Sequence, residues 1–151
     1  MHSRGRMNKS KTDSVRTPGY ITDYIRKHWG AYHDPVPFNE DFDPRKDACA
    51  LATEWGDVNY VNPPYSHCRR FLEKACRLWL ENGTVSVLLL KTDILGSQYV
   101  HSNLKHAELR FFKGRIHFTG YGRRAPFSSM LVIFDGKNIG KFSYCEININ
   151  P

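Results

Sequence analysis

Val58-Asn59-Tyr60-Val61, followed by Asn62-Pro63-Pro64-Tyr65-Ser66, is the stretch from which the fold can be read. Its β-branched and aromatic residues make the first four a short strand. Each proline fixes φ near about −65° and lacks an N–H, and Pro63 keeps Asn62 extended. Ser66 stands where a helix cap is expected. Behind it Cys68, Phe71, Leu72, Ala75 and Trp79 recur at helical spacing, and Asn82-Gly83 closes the run. Thr84-Val85-Ser86-Val87-Leu88-Leu89-Leu90 is then almost continuously apolar, the pattern of a parallel strand buried on both faces. Strand 58–61, helix 66–81 and strand 84–90 make one right-handed βαβ unit. Asn62 to Tyr65 therefore lie at the carboxyl end of its first strand, where open α/β sheets bind ligands.

The side chains there suit a planar amine. The amide oxygen of Asn62 and the carbonyl of Pro63 can both accept hydrogen bonds from one exocyclic NH2 group. Tyr65 offers a ring on which a heterocycle can stack, worth roughly 1–3 kcal/mol per base. Such a site leaves the amine lone pair facing an electrophile, which is the chemistry of methylating an amino group with S-adenosylmethionine. Adenine, cytosine, guanine and a glutamine amide are all compatible with these four residues. Asn-Pro is also an ordinary turn-opening pair; the strand before it and the helix after it set this occurrence apart.

On the amino-terminal side, residues 1–16 carry Arg4, Arg6, Lys9, Lys11 and Arg16 against one Asp13, and read as a flexible basic arm. Residues 17–151 read as a single domain. Thr17-Pro18 is a helix start, with Thr as cap and Pro in the first turn. Tyr20, Ile21, Tyr24, Ile25 and His28 continue it, and Gly30 ends it. Residues 31–35 form a short strand running into a turn. Residues 36–57 are acidic and irregular, with one helical turn near 46–53. Beyond the βαβ unit the pattern gives a helix near 96–105 and strands at 107–112, 115–118, 129–134 and 142–147. The expected fold class is a compact Rossmann-like α/β methyltransferase domain, with a mostly parallel central sheet and a C-terminal antiparallel hairpin.

The 151 residues carry a formal net charge of +7. A second basic concentration, Arg110, Lys113, Arg115, Arg123 and Arg124, is interleaved with Phe111, Phe112, Phe118 and Tyr121. Cations with aromatics between them fit phosphate neutralisation plus base stacking, so Lys113, Arg115, Arg123 and Arg124 are the candidate DNA-binding residues. An edge strand protected by charges is the competing reading. Cys49, Cys68, Cys76 and Cys145 show no paired spacing, which points to reduced packing residues and no metal site. With no apolar run of 18 residues and no apolar leader, an intracellular, cytoplasmic protein without membrane contact is expected.

With those residues in view, the sequence resembles the short, phage-type DNA N6-adenine methyltransferases of the Dam family, from Thr17-Pro18 to about Gly136. The similarity rests on Thr17-Pro18, Asp34-Pro35, Trp55, the Asn-Pro-Pro-Tyr stretch and Thr92-Asp93. More specific are Gly114-Arg115-Ile116-His117-Phe118 and Ala125-Pro126-Phe127-Ser128-Ser129, in this order and at this spacing. The resemblance implies S-adenosylmethionine as cofactor and an adenine of duplex DNA as substrate. It implies that Asn62, Pro63, Pro64 and Tyr65 hold the base, with Thr17, Pro18, Asp34 and Pro35 beside Asn62 on the donor side. One departure is that Asp34 is followed by Pro35-Val36-Pro37-Phe38, without a Gly-x-Gly. An RNA or protein-glutamine methyltransferase, or a non-catalytic DNA-binding relative that has lost donor binding, would carry many of the same residues.

Overall fold

The computed structural model describes residues 15–38, 48–120, 122–147 and 149 of the chain. Its centre is a five-stranded sheet: β1 (Val58–Val61), β2 (Val85–Lys91), β3 (Glu108–Phe111), β4 (Ser129–Phe134) and β5 (Phe142–Tyr144), in the order β1-β2-β4-β3-β5. β1 and β2 are parallel, as the βαβ unit requires. β4 lies antiparallel to both β2 and β3, and β5 pairs parallel with β3. Half of the four pairings are thus antiparallel, all through β4, so the sheet is mixed. The expected C-terminal antiparallel pairing is met by β3 and β4, which follow each other in the chain, but not by β4 and β5, which are not neighbours in the sheet. β4 is drawn to the middle of the sheet because all six of its residues are buried, whereas β5 is exposed along its length and stays at the edge. One further bridge, His33 to Asn59, lays residues 33–34 parallel along the free edge of β1.

Alternation along β2 divides the core into two layers. Leu88 and Leu90 pack with Val61, Met130, Val132 and Phe134 against Phe71, Leu72 and Ala75. These last three lie on helix α2 (Cys68–Asn82). Val87 and Leu89 face the other way, with Tyr60, Leu131 and Ile133, against Ile21 and Ile25. Those two belong to helix α1 (Gly19–Trp29). Ile116 and Phe118 complete this second layer. They alternate with the exposed Arg115 and His117, which explains the strand expected there. The segment lies over the sheet instead of within it, because Gly114 (φ 119°) turns the chain after β3.

Three expected helix starts shift. Pro18, not Thr17, occupies the cap of α1, its carbonyl accepting from Ile21 and Thr22. A 3-10 turn, Tyr65–His67, precedes α2, so Ser66 is not its cap. The helix near 96–105 is two 3-10 turns and a four-residue helix α3 (His101–Leu104), divided where Ser97 is extended. Gly83, left-handed at φ 68°, ends α2 as anticipated. Residues 1–14 of the basic arm lie outside the described residues. Val15 and Arg16 are held, Arg16 bridging to Thr119.

Candidate active site

Tyr60 and Asn62 are two positions apart, and the period of a strand puts them on one side of it. Tyr60 is 1% exposed. Its hydroxyl shares a 2.8 Å hydrogen bond with Thr17 Oγ1. Burial pushes that hydroxyl well above the usual phenol range, despite the bond from Thr17. The Asn62 amide nitrogen donates to the same Thr17 Oγ1 at 3.2 Å and to the Val15 carbonyl at 2.8 Å. A carbonyl can only accept, so the amide has one possible orientation. Its oxygen has no protein partner among the described residues, and neither has the Pro63 carbonyl. Pro64 accepts from His67 and opens the 3-10 turn instead. Pro63 and Pro64 are both buried. Two acceptors on consecutive residues at the end of β1 are therefore left without a partner among the described residues.

Thr17 owes its place to the displaced helix start. Because Pro18 caps α1, the threonine side chain is not spent on the helix and reaches Tyr60 and Asn62. Asp34 enters from the other edge of β1 through the His33 bridge. One carboxylate oxygen accepts from the Val36 N–H at 3.0 Å. Burial raises its pKa above the ordinary aspartate range, and its charge in turn raises that of Tyr60. Thr17 and Asp34 thus both act on Tyr60, one by a hydrogen bond and one by its charge, while Pro18 and Pro35 are their chain neighbours. Tyr60 itself was not anticipated, although its two-residue offset from Asn62 was the available signal.

Tyr65 is half-buried, and its ring meets Phe127 edge-on at 5.2 Å between centroids. The Lys91 ammonium stands 4.4 Å from the centroid of each ring. Lys91 ends β2, the parallel neighbour of β1, and the next residue donates its N–H to the Ser128 carbonyl. The strand ends of β1 and β2 and the loop before β4 therefore bring Tyr65, Lys91 and Phe127 together.

The basic segment divides. Arg115, Arg123 and Arg124 are exposed, with Arg124 donating to the Arg115 carbonyl at 3.1 Å. Lys113 pairs with Glu146 at 3.4 Å, also at the surface. Arg110 serves the interior: it pairs with Glu108 at 2.8 Å, donates to the Tyr24 hydroxyl and lies over Trp29. Phe112 and Phe118 are core residues and are not available to stack on bases. Tyr121 lies outside the described residues. Among the described residues no three metal-ligating side chains converge, and no helix is long and apolar enough to cross a membrane.

The described residues thus form a mixed α/β sheet with Asn-Pro-Pro-Tyr at the carboxyl end of a parallel strand. The chain belongs to the Dam family, DNA N-6-adenine-methyltransferase, whose family model matches residues 4–144. No curated protein sequence matches it.

Proposed function

We propose that this protein transfers the methyl group of S-adenosylmethionine to the exocyclic N6 of an adenine turned out of duplex DNA. The observation that carries the reading is the fixed amide of Asn62. With its nitrogen committed to Val15 and Thr17, its oxygen can only accept. Asn62 Oδ1 and the Pro63 carbonyl each take one N–H of the adenine amine. The amine lone pair, otherwise delocalised into the ring, is drawn toward the pyramidal form that attack requires. Both acceptors are set before the base arrives, so they favour the transition state without reorganising. Extruding the base costs a few kcal/mol, which stacking on Tyr65 offsets. Pro64 keeps the turn rigid between clamp and stacking ring.

S-adenosylmethionine, when bound, supplies the electrophilic methyl. The residues on the donor side fit it by their chemistry: Asp34 keeps one carboxylate oxygen without a partner among the described residues, suited to an ammonium or hydroxyl of the donor. Beside it Pro18, Pro35 and Thr17 are the remaining candidates to hold it. Arg115, Arg123, Arg124 and Lys113 meet the phosphates, and this surface makes DNA a better-fitting substrate than a protein glutamine. The test is transfer of labelled methyl to adenine-containing duplex, with the product base identified by mass spectrometry. Asn62→Ala is expected to lower the rate on the order of 10²–10³-fold with little change in DNA affinity. Wild-type rates in that variant would refute the clamp, and label on cytosine alone would refute the substrate.

A further inference from the structure

Lys91 has an arrangement that the amine clamp does not require. Its ammonium sits 4.4 Å from the ring centroids of both Tyr65 and Phe127. It is half-buried, and among the described residues no carboxylate or other acceptor bonds to it. Attraction to two ring faces holds the cation and leaves its three N–H donors unmatched. The ammonium is not among the buried polar atoms that lack a partner, so its donors reach water and can be handed to an incoming acceptor. Its position answers what that acceptor is. Lys91 ends the strand beside the one that carries Asn62, and it stands over the ring on which the base is expected to stack. A base on that face of Tyr65 takes the space of the ammonium. The flexible four-carbon stem lets the cation move to the rim of the base and remain near Phe127.

We propose that Lys91 is a base-reading residue, donating a hydrogen bond from Nζ to a ring nitrogen of the target adenine. The proposal rests on the reading of Asn62 to Tyr65 as the base site. It assigns a division of labour: Asn62 and Pro63 recognise the amine, and Lys91 recognises the acceptor edge of the ring. In the free protein the two aromatic rings store the cation where the base will enter.

The experiment is a double-mutant cycle between protein and base. The duplex carries the sequence that the wild-type protein methylates within a random-sequence library. Its target adenine is replaced in turn by 1-deaza-, 3-deaza- and 7-deazaadenine, each lacking one ring nitrogen and keeping the amine. Wild-type protein should lose on the order of 10- to 100-fold in kcat/KM on one of the three, the worth of a hydrogen bond to a charged donor. Lys91→Met should lose a similar factor on adenine and be indifferent to that same replacement. Because the deaza series is measured on wild-type protein too, a poorly folding variant does not spoil the test. Equal losses from every deaza base in both proteins would overturn the proposal. So would a Lys91→Met variant that loses only salt dependence of DNA binding, which would place the ammonium on a phosphate. Wild-type protein that labels no adenine at all would overturn the reading of the site, and this proposal with it. Wild-type activity without coupling would overturn this proposal alone.

Discussion

Replacing Thr17 by valine tests whether the site is held from behind as well as in front. The substitution keeps the shape and removes one oxygen, which bonds Tyr60 at 2.8 Å and receives the Asn62 amide at 3.2 Å. Tyr60 is 1% exposed, so its hydroxyl is left without a partner, at a cost of about 1–3 kcal/mol. For a chain of this size about 1 kcal/mol moves the thermal midpoint by about 2–4 °C, which gives a fall of roughly 2–12 °C. Asn62 keeps Val15 as its second anchor at 2.8 Å. The loss in methylation should therefore be that of one neutral hydrogen bond near 1 kcal/mol, about fivefold, far below the loss from Asn62→Ala. Tyr60→Phe removes the other hydroxyl, and combining the two should recover much of the stability, because the fully buried phenol is then gone and only the Asn62 N–H that faced Thr17 lacks its acceptor. Circular dichroism melts and the labelled-methyl assay on the four proteins of the cycle give both energies. Strictly additive melting losses, or Thr17→Val protein that methylates as fast as wild type, would refute the network.

Three other substitutions probe the surroundings. Asp34→Asn should weaken S-adenosylmethionine binding in calorimetry yet raise the melting temperature at pH 7. Burial raises the Asp34 pKa, so the fold disfavours its ionised form above that value, and the gain from Asn should vanish below the ordinary aspartate range, where folded and unfolded chains are both protonated. An equal gain at pH 3 and pH 7 would contradict this. Arg123→Ala with Arg124→Ala should flatten the slope of log affinity against log salt by at most about two phosphate contacts, near 0.9 each; an unchanged slope removes these arginines from the DNA surface. Gly136→Ala should cost roughly 2–4 kcal/mol in urea denaturation. Its φ is 78°, and a Cβ there would lie 2.7 Å from the Trp79 ring; a loss below about 0.5 kcal/mol would mean that Trp79 yields freely.

What the sequence disclosed and what it withheld have separate physical causes. Val58 to Leu90 could be read nearly residue by residue, because a buried parallel strand and an amphipathic helix each impose a local period. The direction of β4 could not. Ser129–Phe134 is apolar on both faces, and such a run fits a central position in either orientation. Thr17 was misplaced as a helix cap because its real partners, Tyr60 and Asn62, lie more than forty positions away. The cations beside Phe112 and Phe118 suggest surface aromatics, and only the folded chain shows both rings in the core layer with Ile21 and Ile25. The same holds for Lys91, whose two ring partners come from separate loops. Asn62 to Tyr65 needed no such help, since prolines dictate backbone shape without reference to the rest of the chain.

The insertion of β4 between β2 and β3 has a consequence for how the protein is made. The edge of β2 that β4 covers is buried and largely apolar, and its partner is synthesised last but one among the strands. At about 5–20 residues per second, the interval from Lys91 to Ser129 lasts roughly 2–8 s. Throughout it the nascent chain offers Val87 to Leu90 as an unpaired, sticky edge. β3 cannot relieve this, because it bonds to β4 and not to β2. Chains that end before Ser129 are therefore expected to aggregate, and yield should depend on chaperones that shield a strand until its partner emerges.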